Sequence, residues 1–130
     1  MPPSDATPEA LCWTGFGLTI TVTRVSALRA DLRVAGDLDM ASIPVLKDAL
    51  DHHLSTGRRY TRVDLSDLEF LDAAALGTIL DAHWAFLEQH GSLLIDGLSA
   101  RHRRVVQTAG LGDVLLLACE HENAAEFVAN

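Results

Sequence analysis

A change of hydrophobic period partway along the chain constrains its fold more than any other feature. Between Leu18 and Arg24, apolar Leu18, Ile20 and Val22 alternate with Thr19, Thr21 and Thr23, the β-branched period-two pattern of a half-buried strand. Leu28, Ala30, Leu32 and Val34 alternate with Arg29, Asp31 and Arg33 up to Gly36, which predicts a second strand antiparallel to the first. From Ile43 the apolar residues recur as Ile43, Leu46, Leu50 and Leu54, at three- and four-residue spacing. That segment is predicted to be an amphipathic helix, capped by Ser42, with Pro44 in its first turn and Gly57 as its exit.

The alternation then continues. Arg62 to Leu65 reads as a short strand, and Ala74 to His90 as a helix carrying Leu76, Ile79, Leu80, His83, Phe86 and Leu87. Ser92 to Asp96 reads as a buried strand, Ala100 to Ala109 as a third helix, and Val114 to Leu117 as a last strand; Glu122 to Val128 has the pattern of a closing helix. Two strands followed by helices alternating with strands predict an α/β domain with a mixed sheet, its later strands parallel and joined by right-handed helical crossovers.

With 130 residues the chain suits one domain, expected over residues 17–130 after a flexible extension over residues 1–16, the first ten of which hold three prolines, two acids and no hydrophobic period. A formal net charge of -8 opposes direct binding of nucleic acid or of an anionic membrane and favours a protein partner. The longest wholly apolar run, Val114 to Cys119, falls far short of the roughly 20 residues of a membrane span, so no membrane insertion and a cytoplasmic location are expected. Cys12 and Cys119 have neither CxxC spacing nor further cysteines and are read as free thiols.

No metal, cofactor or enzymatic activity is expected. The histidines show no zinc spacing with cysteines, and nucleotide-loop, dinucleotide, hydrolase and metalloprotease signatures are absent. The carboxylates of Asp64, Asp67, Glu69 and Asp72 lack an accompanying nucleophile and are read as a solvated acidic rim. Arg101, His102, Arg103 and Arg104 are read as a solvated or protein-contacting helix face.

The segment DLSDLEFLDAAALG, Asp64 to Gly77, is the most informative stretch. It is predicted to run from a strand through a short acidic loop into a helix whose first residues are small, leaving helix-start N–H groups open to an anion or to a partner's backbone. Close packing of Ala73 to Ala75 on the sheet accounts for the same residues equally well.

Together with GDLDMASIPVLKDAL at Gly36 to Leu50 and LSARHRRVVQTAGLGDVL at Leu98 to Leu115, this stretch resembles the STAS domain family, and within it the bacterial anti-sigma factor antagonists. The resemblance covers about Gly17 to Leu117. It implies a STAS-type mixed β-sheet with helices largely on one face, and a non-enzymatic protein that docks on a GHKL-type anti-sigma factor, itself a serine kinase, to free a sigma factor. In the family the second major helix opens with Asp-Ser-(Ser/Thr)-Gly-Leu-Gly, the first serine being the phospho-acceptor. Those positions fall on Asp72, Ala73, Ala74, Ala75, Leu76 and Gly77. The resemblance therefore implies that the acceptor hydroxyl is missing at Ala73 and that phosphorylation control is lost, with Ser66 and Thr78 the nearest hydroxyls.

It also places Asp39 and Ser42 beside that helix, so the expected partner surface comprises Asp39, Ser42, Asp72, Ala73, Ala74, Ala75, Gly77 and Thr78. Turn and cap roles are the plainer reading of Asp39 and Ser42. Two other functions fit the same resemblance: a structural subunit of a stressosome-like or lipid-transporter assembly, and a small-ligand or nucleotide sensor. The sensor would require a pocket among Asp39, Asp72 and Thr78.

Overall fold

A computed structural model describes residues 12–110 and the backbone of residues 116–117. The strands are β1 (Cys12–Gly15), β2 (Leu18–Val25), β3 (Arg29–Leu38), β4 (Tyr60–Leu71), β5 (Ser92–Asp96) and β6 (Leu116–Leu117); the helices are α1 (Ile43–Ser55), α2 (Ala73–Glu88) and α3 (Ala100–Thr108). The six strands form one sheet in sequence order. β1, β2 and β3 pair antiparallel, and β3 through β6 pair parallel. The closing helix expected at Glu122 to Val128 lies outside the described residues.

Alternation in β2 and β3 decides which face of this sheet is covered. Leu18, Ile20, Ala30, Leu32 and Val34 are buried and join Val63, Leu65, Leu93 and Ile95 in one apolar layer. α1 lays Leu46, Ala49 and Leu50 against that layer, and α2 adds Ala75, Leu76, Ile79 and Phe86. The opposite face carries charge: Arg29 pairs with Asp31 at 2.9 Å, and Arg62 with Asp96 at 2.7 Å. Each crossover between neighbouring parallel strands thus returns its helix to the same face, as a right-handed connection requires.

Three expectations are corrected. The extension expected over residues 1–16 does not reach residue 16, because Cys12 to Gly15 form β1 and pair with Leu18 to Thr21. Trp13 holds this strand against α1, its ring 5.3 Å from His52 and 5.5 Å from His53. The acidic loop expected before α2 is strand throughout. β4 gains one residue on β3 between Arg33 and Ala35 and another between Gly36 and Asp37, and these two bulges keep Leu65, Leu68 and Leu71 on the core face at three-residue spacing. Ser42 occupies the α1 N-cap position but makes no side-chain cap bond. Asp39 closes the turn that precedes the helix, its Oδ1 accepting from Ala41 N at 3.0 Å and Ser42 N at 3.1 Å.

Two buried histidines set an acid limit on stability. His53 donates from Nδ1 to Ala49 O at 2.9 Å, and its pKa is pushed below 6.5 chiefly by burial, with His52 and Arg58 adding to the effect against that hydrogen bond. Burial likewise lowers His83. Both are neutral in folded and unfolded chains well above pH 6.5, so they contribute no pH dependence there. As pH falls below about 6.5 the unfolded chain takes up protons that the folded one resists, and stability is lost. Urea denaturation at pH 7.5 and 5.5 is expected to show the lower stability at pH 5.5, and His83→Leu is expected to reduce the difference.

Candidate docking site

The C-terminal ends of β3 and β4 meet the N-termini of α1 and α2 at one end of the sheet, the position where α/β folds commonly place their sites. Asp72 N donates to Leu38 O at 3.3 Å, which fixes the start of α2 against the end of β3. Asp72 Oδ1 accepts from Ala75 N at 2.9 Å, a side-chain cap that contributes about 1 kcal/mol to a helix. That bond uses the third amide of α2, so the amides of Ala73 and Ala74 are left without intrahelical acceptors. Both residues are exposed, as is Gly77 one turn on.

The expected surface separates into parts with different roles. Ala73, Ala74 and Gly77 are exposed, and Asp39, Asp72 and Thr78 are half-buried. Ser42 and Ala75 are fully buried and cannot touch a partner in this conformation. Ser42 Oγ donates to Asp37 O at 2.8 Å and accepts from Asp39 N at 3.0 Å, so it braces the turn from within. Ala75 packs in the core beneath the helix start. Asp39 is committed to closing its turn and Asp72 to capping α2, whereas Thr78 lines a groove between α1 and α2 with Lys47 and Asp81. The structure therefore does not gather Asp39, Asp72 and Thr78 around one cavity among those described.

The remaining acidic residues are dispersed. Asp64 and Asp67 each lie 3.8 Å from Arg33 on the outer side of the sheet, and Asp64 also accepts from Ser66 N. Arg101 donates to Glu69 O at 2.9 Å, so the basic run on α3 contributes a tie to the end of β4. Ser66 is exposed in β4, well before the helix start.

Sequence reasoning missed three apolar residues at this end of the sheet. Phe16 in the β1–β2 turn and Met40 in the β3–α1 turn are each 73% exposed, and Phe70, next to last in β4, is 49% exposed. The pairing brings their segments to the same end of the sheet: Asp37 N donates to Gly17 O at 3.0 Å, and Asp37 and Phe70 are register partners. One signal was available for Phe16, whose glycine neighbours Gly15 and Gly17 mark a turn and leave a large ring no strand face to occupy. The result is an apolar rim beside a helix start with open amides, suited to covering a protein surface rather than to bond-making chemistry.

Comparison with known proteins agrees with this architecture. A family model described as "Mlab, STAS domain" matches residues 23–118. The anti-sigma-B factor antagonist of Listeria monocytogenes is 29% identical over 100 residues, 77% of this chain and 88% of that protein. The protein of the same name from Bacillus subtilis is 28% identical over 95 residues, 73% and 86% of the two chains. Among solved structures, the unphosphorylated anti-sigma factor antagonist SpoIIAA superposes with a TM-score of 0.69 at 20% identity, covering 85% of this chain and 97% of SpoIIAA. An anti-sigma factor antagonist from Mycobacterium paratuberculosis gives 0.69 at 22% identity, covering 87% and 95%. With the mixed sheet, its one-sided helices and a family match across most of the sequence, the chain belongs to the STAS domain family.

Proposed function

We propose that this protein is a regulatory antagonist of an anti-sigma factor and docks on a GHKL-type anti-sigma kinase through the start of α2. The observation that carries the reading is the exposed helix start at Ala73 and Ala74, set against the apolar rim of Phe16, Met40 and Phe70. The names of the relatives, which match over most of their own length, support the same reading. Such a protein works by occupying a surface, and nothing in its role requires a catalytic group.

Ala73 determines how the contact is controlled. A phosphoserine at this first helical position would place a charge of about -2 where the partner must approach. Ala73 carries no oxygen to accept the group, so docking persists whether or not ATP is present. The test is incubation of wild type and Ala73→Ser with the GHKL-type anti-sigma factor and ATP, followed by intact-mass measurement. Wild type is expected to stay unmodified, and Ala73→Ser to gain one phosphate and release the kinase. An unmodified Ala73→Ser would mean that the site differs from a phospho-acceptor by more than one hydroxyl.

A further inference from the structure

α1 and α2 lie side by side on the sheet, and the seam between them opens into a groove away from the helix start described above. Its first section, about 180 Å³, has Leu50, Ala82 and Ala85 as floor. A second section of about 510 Å³ continues from Asp51 past Leu54 and Ser55 to Gln89. From Thr78 to Gln89 the α2 wall spans about 16 Å, or three turns of a docked helix. The alanines at 82 and 85 keep that wall low, which lets another backbone approach closely.

The charge on the rim selects the occupant. Lys47 Nζ lies 2.8 Å from Asp51 Oδ2, and Asp48 and Asp81 both act electrostatically on the same ammonium. Of the charged residues that line the groove, Lys47 is paired with Asp51 and Asp81 is left over, so the lining keeps an excess of one negative charge. A second copy would bring an equal excess against it. The chain's own terminal segments are no better matched: residues 118–130 carry Glu120, Glu122 and Glu126, residues 1–11 carry Asp5 and Glu9, and neither segment has a lysine or arginine.

We propose that this groove is a second docking site, for an amphipathic helix of a partner protein with an apolar stripe and basic flanks. It is separate from the contact assigned to the start of α2 and stands or falls independently of it. The occupant's stripe covers Leu50, Leu54, Ala82 and Ala85, and its flanking cations meet Asp51 and Asp81.

The test uses the full chain, labelled with nitrogen-15, and two synthetic 18-residue helical peptides that share one leucine stripe, one flanked by lysines and the other by glutamates. The lysine-flanked peptide is expected to shift the amide resonances of Leu54, Thr78, Ala82 and Ala85, with affinity falling as salt rises. The double variant Asp51→Lys/Asp81→Lys is expected to weaken that peptide at least about tenfold and to favour the glutamate-flanked one. Ala73→Asp is expected to bind the peptide as wild type does, which separates this site from the proposed anti-sigma contact. Equal binding of both peptides, shifts centred elsewhere, no binding of the lysine-flanked peptide, or self-association that closes the groove would each overturn the proposal. If the double variant fails to fold, peptide discrimination by the wild type and its salt dependence decide the matter.

Discussion

Ala73→Asp is expected to weaken binding of the anti-sigma factor by about two orders of magnitude while leaving the fold intact, because stripping the water from a carboxylate at an interface costs several kcal/mol. The two effects separate because of where the residue sits. Ala73 is the first residue of α2 and is exposed, so a carboxylate there meets open amides and the positive end of the helix. Such a placement typically stabilises an isolated helix end by about 0.3–1 kcal/mol. In a complex the same carboxylate is pressed against the partner and loses its water. Titration calorimetry should therefore show a large loss of affinity while thermal unfolding shows a midpoint unchanged or slightly raised. Wild-type affinity in this variant would mean that docking occurs elsewhere.

A second large effect is expected in stability, at Gly36. This residue has φ of +104°, a conformation that side chains rarely adopt, and a Cβ there would run into the backbone carbonyl of Gly17. The clash matters because Gly17 O accepts from Asp37 N at 3.0 Å, the bond that fixes the β1–β2 turn to the end of β3. Gly36→Ala should therefore cost about 3 kcal/mol or more, from backbone strain together with overpacking. Gly77→Ala serves as the opposite control, since a Cβ there meets nothing within 4 Å and the residue lies inside α2. It should raise stability by about 0.5–1 kcal/mol. Chemical denaturation of the two variants measures both signs, and a stable Gly36→Ala would show that the turn can move away from β3.

The contrast between those glycines reflects how much of the molecule could be read from its residues. β2, most of β3, α1 and β5 were legible because each buries one face or one stripe, leaving a clean period of two or of about 3.6 in the order of apolar residues. The second half of β4 was not, because its two bulges turn the leucine spacing from two to three, and Leu65, Leu68 and Leu71 then resemble neither strand nor loop. β1 was missed for a different reason. It is four residues long, and it is held by pairing with β2 and by Trp13 against His52 and His53, contacts that no local pattern announces.

The end of the sheet proposed for docking was legible in part. Asp72, Ala73, Ala74 and Gly77 were found through the resemblance of a motif, and the structure adds that Asp72 is the cap and Ala73 and Ala74 the open amides. Asp39 keeps its turn role, whereas Ser42 makes no cap bond and points inward to Asp37 O. Phe16 and Met40 come from two separate turns and Phe70 from the end of β4, and only the pairing of β2, β3 and β4 brings these segments to one end of the sheet. In the sequence the three are more than 20 residues apart from one another.

The most direct test of the antagonist reading begins with a preformed complex of a GHKL-type anti-sigma factor and its sigma factor, each carrying a fluorophore, to which this protein is added with and without ATP. The wild-type chain is expected to release the sigma factor to the same extent in both conditions, whereas Ala73→Asp releases little. A complex that stays intact at excess antagonist, or release that is abolished by ATP, would contradict that reading.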